Sequence, residues 1–163
     1  MYCFRKNKKA AKKHMQVYLL NVSDSLIEKV FAIRKKVFID EQNVPQELER
    51  DKEDEIALHV LICIDSQAVA TGRVFLDETM PERARLGRVA VLKEFRGQGL
   101  GMAVVKKLIS QAIAWNCKEV LIHSQLSVEK MYEKLGFIRR GEEFSEAGID
   151  HVEMCLLVKS QND

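Results

Sequence analysis

The sequence predicts one α/β domain with a mixed central sheet of about six to seven strands and helices on both faces. Three observations predict it. Strand-like segments come first and are followed by alternating helix and strand, an order that lays helices over both faces of one sheet. At 163 residues the chain matches a single domain, able to bury on the order of 70% of its unfolded surface without metal or disulfide support. Its two prolines and eight glycines form no linker-like cluster, and no internal repeat divides it.

The elements follow in order. Gln16 to Val22 reads as a strand. Ser23-Asp24-Ser25 then opens a helix, with Ser25 and Glu28 at capping-box spacing. Leu26, Val30, Ile33 and Val37, beside Ile27, Phe31 and Phe38, give that helix a broad apolar face. Asp40 to Glu55 is too acidic for a core element and reads as a loop with a short helix. Ala57 to Ile64 and Ala68 to Leu76 form a hairpin joined at Asp65-Ser66-Gln67, and the apolar first arm suits a strand covered on both faces. Arg83 to Val91 is the next strand. Val104, Val105, Leu108, Ile109, Ala112 and Ile113 mark one face of the following helix, and Glu119 to His123 is the next strand. Val128 to Leu135 is a short helix stopped by Gly136, and Val152 to Lys159 is a terminal strand.

Chemistry concentrates in Arg96-Gly97-Gln98-Gly99-Leu100-Gly101, directly after a strand and directly before a helix. Glycines at alternate positions strip side chains from the turn, so several backbone N–H groups can point at one anion where the helix adds its positive end. This is a phosphate cradle. A nucleoside-triphosphate P-loop needs Lys and then Ser or Thr after its last glycine, and here Met102 and Ala103 follow. The dinucleotide fingerprint wants G-x-G-x-x-G in a first βαβ unit, whereas this run is G-x-G-x-G more than halfway along.

Arg96, Gly99 and Gly101 match Arg/Gln-x-x-Gly-x-Gly/Ala, and Tyr132 with Gly136-Phe137 matches Tyr-x-x-x-Gly-Phe. On these motifs the chain from about residue 16 to 159 resembles the GCN5-related N-acetyltransferase (GNAT) superfamily. Arg34, Val37, Phe38, Glu41 and Gln42, with Pro45, Asp54 and His59, resemble its small bacterial ElaA/YjcF-type branch. The resemblance implies transfer of an acetyl group from acetyl-CoA to a primary amine by direct attack in a ternary complex, without a metal. It implies that Gly97, Gln98, Gly99, Leu100 and Gly101 hold the pyrophosphate, with Arg96 at its edge. It also implies that backbone groups at Val89, Ala90 and Val91 bind pantetheine and polarise the thioester, and that Tyr132 protonates the departing thiolate. A half-buried packing aromatic is the other reading of Tyr132.

The base and the acceptor site are less legible. No acid lies between Glu82 and Glu94 on the central strand, which carries Arg83, Arg85 and Arg88. Glu41, His59, His123 and His151 remain as bases. Glu41, His59 and His123 are also the substrate-binding candidates. The acidic segment is either a solvated surface or a rim that attracts a cationic amine. A CoA-binding module without turnover, and a peptide or protein amine as acceptor, are the alternatives to a small-molecule enzyme.

The formal charge is +2, yet residues 1–14 carry six basic side chains and no acid, leaving 20 basic against 24 acidic residues in the remainder. Residues 1–15 therefore read as a basic, solvated extension and residues 16–163 as the acetyltransferase domain. Nucleic-acid binding by that arm is a weaker reading. Cys3, Cys63, Cys117 and Cys155 form no C-x-x-C pair and suit a reducing cytoplasm. No segment has the length and apolarity to span a membrane. A homodimer is compatible with the family.

Overall fold

A computed structural model describes residues 13–158. The expected N-terminal extension lies outside the described residues up to Lys12, as does Cys3. The fold is a seven-stranded sheet of β1 (Met15–Leu20), β2 (Leu58–Ile64), β3 (Gln67–Leu76), β4 (Arg83–Val91), β5 (Glu119–Gln125), β6 (Ile138–Glu146) and β7 (Ile149–Leu157), in the spatial order β1-β2-β3-β4-β5-β7-β6. Only β4 and β5 pair in parallel; every other neighbouring pair is antiparallel.

Two apolar layers sandwich the sheet. Over one face lies α3 (Leu100–Ala114), whose Val104, Val105, Leu108 and Ala112 are fully buried against Val60, Ile62, Val74 and Leu86. Over the other lies α1 (Ile27–Arg34), where Val30, Phe31 and Ile33 pack with Leu61, Cys63 and Ala90. Successive residues of β2 thus feed opposite layers, the reason its sequence is a continuous apolar run. Helix α3 sits so close that a Cβ at Gly72 of β3 would lie 2.7 Å from Val104 Cγ1 and 3.0 Å from Leu108 Cδ1. Cys63, Cys117 and Cys155 are buried free thiols.

Several local expectations are corrected. The Ser25/Glu28 capping box is not made: α1 starts at Ile27 without a side-chain cap, because a preceding turn is closed instead by Asn21 N–H donating to Asp24 Oδ2 at 2.8 Å. After Arg34 the helix widens into a π-helical turn over Lys35–Glu41, in which the Gln42 N–H reaches the Val37 carbonyl. Of the short helix before Gly136 only α4 (Glu129–Glu133) is α-helical, preceded by a 3₁₀ turn at Leu126–Val128. Strand β6 has no apolar alternation and is exposed along almost its whole length; pairing with β7 makes it a strand. Of the Asp40 to Glu55 segment, α2 (Gln46–Glu49) and a 3₁₀ turn at Lys52–Glu55 are ordered, and Glu49 and Asp54 are buried.

Candidate active site

The parallel pairing of β4 with β5 stops after Leu86↔Ile122. Beyond that point β4 runs on to Val91 while His123 to Gln125 of β5 pair only with β7, so a seam opens in the middle of the sheet. The divergence begins at a bulge. Between Gly87↔Arg73 and Ala90↔Thr71, β4 has one more residue than β3, and the extra residue, Arg88, adopts φ +52°. The bulge also reverses which side chains face α3: Ala84 and Leu86 do so before it, Val89 and Val91 after it, while Ala90 joins the α1 layer. Leu92 N–H donates to Val69 O across the β3 side at 2.9 Å. Strand alternation therefore turns the N–H and C=O of Val91 toward the open seam.

At the end of β4 the glycine turn leads into α3. Gly97 and Gly99 have φ of +74° and +77°, and a Cβ at either would meet nothing within 4 Å. Glycine serves the backbone conformation and leaves the space above the turn open. The first helical bond of α3 is Ala103 N–H to Gly99 O, so the N–H groups of Leu100, Gly101 and Met102 have no carbonyl one turn back to bond. A cleft of about 1080 Å³ joins this turn to the seam, walled by Val89, Ala90, Val91, Gly97, Gly99, Leu100, Gly101 and Tyr132 among others. A diphosphate at the helix start with a thin thioester arm along the seam fits these walls, and acetyl-CoA has that form.

The other expected residues divide. Gln98 is exposed and outside the walls. Arg96 lines the cleft but is already engaged: Nη1 and Nη2 donate to Glu41 at 2.5 and 2.9 Å, and Nε donates to Val91 O at 3.0 Å. The hydrogen bond from Arg96 holds the Glu41 carboxyl below the usual range. Glu41 is thus tied to the residue that opens the glycine turn and does not wall the cleft. His59 is fully buried in the α1 layer, edge-on to Phe31, and does not reach the cleft either. Burial pushes its pKa down and keeps it neutral.

His123 does reach the cleft, yet Nδ1 lies 3.4 Å from Glu146 and Nε2 3.5 Å from Glu153. The hydrogen bond to Glu146 and the charges of both carboxylates raise its pKa, which favours the protonated ring over a free base. His151 also lines the cleft. Its Nδ1 donates to Ile149 O at 2.7 Å, and Nε2 has no partner among the described residues. Tyr132 is 3% exposed, and its ring meets Phe137 edge-on at 5.6 Å. Burial pushes its phenol pKa up, and its hydroxyl has no hydrogen-bond partner among the described residues. The ring packs against Phe137, and the residue also walls the cleft.

At its centre the acidic segment is paired with arginines, and its Glu49, Asp51 and Glu53 also line the cleft. Arg34, fully buried, donates from Nε to Glu49 at 2.5 Å and from Nη1 and Nη2 to Asp54 at 2.6 and 3.0 Å. Arg73 donates to Asp51 at 2.5 and 2.7 Å and to Asp54 at 2.7 Å. Arg88 reaches Leu48 O, Glu49 O and Asp51. Three arginines meet three carboxylates, so the cluster is neutral. For Asp54, burial alone would raise the carboxyl pKa, but the hydrogen bonds and charges of Arg34 and Arg73 hold it well below the usual range.

Sequence reasoning missed this cluster, the Gln125 to Gln42 hydrogen bond at 2.9 Å, and the hairpin tip whose Glu146, Ala147 and Ile149 line the cleft. A signal for the cluster was present. Arg34, Arg73 and Arg88, each set in a segment whose other signal is apolar, are complementary to an acidic run that is otherwise too polar to fold against a sheet.

A splayed parallel pair under a glycine turn at a helix start, with a tyrosine in the same cleft, defines an acyltransferase that draws on a CoA thioester. The comparisons agree. The acetyltransferase (GNAT) domain family model matches residues 9–158, and the chain belongs to that family. The uncharacterised protein YyaT of Bacillus subtilis (strain 168) is 34% identical over 78% of this chain and 86% of its own length. The uncharacterised N-acetyltransferase YjcF of the same organism is 29% identical over 81% of this chain and 93% of its own. The crystal structure of Escherichia coli ElaA superimposes with a TM-score of 0.75 at 27% identity, covering 88% of this chain and 99% of that one. YjcF and ElaA are the two proteins after which the branch resembled by the sequence was named. Among the described residues no helix is long and apolar enough to cross a membrane.

Proposed function

We propose that the protein moves the acetyl group of acetyl-CoA to a primary amine of a small molecule by direct attack within a ternary complex. The observation that carries this reading is the open seam between β4 and β5, which one cleft joins to the Gly97–Gly101 turn. In this reading the N–H groups at the start of α3 hold the pyrophosphate. The Val91 N–H, free of β3, donates to the thioester carbonyl and to the oxyanion that forms as the amine attacks. The C–N bond forms, the C–S bond breaks, and Tyr132 gives its proton to the sulfur. Burial disfavours the phenolate, and the same apolar surroundings disfavour the thiolate, so the two effects offset.

The amine must lose a proton to become neutral. Of the candidate bases, Glu41 is held by Arg96 and His59 lies outside the cleft, while His123 sits between two carboxylates. His151 keeps a ring nitrogen without a partner at the wall, fixed as acceptor by the Nδ1 bond to Ile149 O, and is the base in this reading.

Thiol release from acetyl-CoA with a panel of small primary amines tests the proposal, with Gly99→Glu as control. That substitution puts a side chain and a negative charge above the turn at a backbone conformation glycine favours, so CoA affinity should fall severely. Unchanged calorimetric affinity in a folded Gly99→Glu protein overturns the assignment of the turn. Acetylation of peptide amines with none of the small amines overturns the substrate class.

A further inference from the structure

The bulge that frees the Val91 N–H sits on a residue poorly suited to it. Arg88 occupies the left-handed region at φ +52°, a conformation that a residue with a side chain adopts only under strain. Neighbouring Gly87, which could take it freely, does not have a positive φ. The strand therefore places the strained conformation on the long side chain, and that side chain is the one tied down. Arg88 Nε donates to Glu49 O at 3.0 Å, while Nη2 donates to Leu48 O at 3.1 Å and to Asp51 Oδ2 at 3.0 Å. Its acceptors are themselves fixed. Glu49 is pinned by buried Arg34, and Asp51 is pinned by Arg73 of β3, the strand against which β4 bulges.

We propose that Arg88 is a positioning residue: its guanidinium clamps the β4 bulge to the α2 segment and thereby sets the direction in which the Val91 N–H faces the thioester. This rests on the proposed use of the seam by acetyl-CoA. The chain of cause is short. Arg88 stands three residues before Val91, so a bulge that relaxed into regular strand would exchange the faces and edges of every residue after it. Val91 would then aim its N–H at β3 instead of the seam. The buried arginine and carboxylate cluster acquires a purpose by this route, since it gives a polar loop enough rigidity to hold a strand against its own preference. Such a cluster contributes specificity of geometry more readily than net stability.

Arg88→Ala is the informative substitution, because alanine keeps the strain of φ +52° while the clamp is lost. The readout is the carbonyl stretch of acetyl-CoA labelled with carbon-13 at the thioester, bound to the protein without any amine and recorded as an infrared difference spectrum. CoA affinity is measured by calorimetry on the same samples. In the wild type the bound carbonyl should absorb at lower frequency than in water, as expected of an oxyanion donor. In Arg88→Ala that displacement should be lost, with CoA affinity within about threefold of wild type, because the phosphate turn is untouched. Arg88→Lys keeps a charge for Asp51 but cannot span both carbonyls, so it should show a partial displacement; it also serves if the alanine variant does not fold. Acetyl transfer should fall by about 10²-fold in Arg88→Ala, the usual cost of an oxyanion donor moved out of place. A full displacement in either folded variant overturns the clamp, and if transfer is nevertheless lost, Arg88 acts on the acceptor instead. A wild-type protein that binds acetyl-CoA without any displacement, or fails to bind it, overturns the functional reading itself.

Discussion

Asp54→Asn removes one negative charge from a position where the carboxylate, 1% exposed, accepts hydrogen bonds from Arg34 at 2.6 and 3.0 Å and from Arg73 at 2.7 Å. Asparagine keeps the shape and one acceptor oxygen. It also turns an amide donor toward guanidiniums that have only donors to offer, and it leaves three arginines facing two carboxylates. Breaking a buried pair from one side typically costs about 3–5 kcal/mol, a large part of the ~5–15 kcal/mol that holds a domain together. At about 2–4 °C per kcal/mol for a domain of this size, the melting temperature should fall by roughly 6–20 °C. Urea unfolding followed by circular dichroism at pH 7 reads the difference directly, as a lower midpoint at unchanged slope. Glu53→Gln is the internal control: it changes the same charge one residue earlier on a side chain with no ion pair among the described residues, and it should shift stability by no more than about 0.5 kcal/mol. The pH dependence supplies a second check. Because the folded Asp54 carboxyl is held below its unfolded value of about 3.9, its contribution is present above that pH and is lost as pH falls through the depressed folded value. The gap between wild type and Asp54→Asn should therefore narrow in acid below about pH 4. A loss under about 1 kcal/mol at neutral pH, or an amine KM that rises with stability intact, would refute the argument and favour the acidic segment as a rim that attracts a cationic amine.

Three further outcomes are expected. Tyr132→Phe keeps the edge-on contact with Phe137 and removes a hydroxyl without a protein partner, so stability should change by less than about 0.5 kcal/mol while kcat falls by about 10²-fold or more; wild-type turnover where chemistry limits the rate would leave Tyr132 as packing alone. Gly72→Ala forces a methyl to within 2.7 Å of Val104 Cγ1, which should destabilise by about 1–3 kcal/mol; an unchanged urea midpoint would show that α3 gives way freely. His59 is buried neutral with its folded pKa depressed. Below the ordinary imidazole value of ~6.5 the unfolded chain gains a proton the folded one refuses, so stability should fall as pH drops from about 6.5 toward 5. His59→Gln should flatten that fall, and an equal decline in both proteins would show that another group causes it.

The elements legible in the sequence were those whose signal is local. Gly97 and Gly99 announced their turn because only glycine takes positive φ freely while leaving space for a ligand. The apolar repeat of α3 announced its buried face, and the unbroken run in β2 announced burial on both sides. Strand β6 was invisible because its side chains meet solvent almost throughout and its existence depends on β7. The pairing within the acidic segment from Asp40 to Glu55 was invisible for a related reason: its charges look solvated until Arg34, Arg73 and Arg88, brought in from a helix and two strands, close over Glu49, Asp51 and Asp54.

By itself the sequence determined that a glycine turn joins a strand to a helix and that the sheet is mixed. It could do so because glycine conformation and apolar periodicity are properties of neighbouring residues. Only the tertiary structure decided where β4 leaves β5, that the extra residue of the bulge is Arg88, and which histidine keeps a free nitrogen at the cleft wall. Those features are set by pairings between segments tens of residues apart. A carboxylate that attracts a substrate and one that neutralises a buried arginine are the same residue in a sequence, and only the partner brought to it by folding tells them apart.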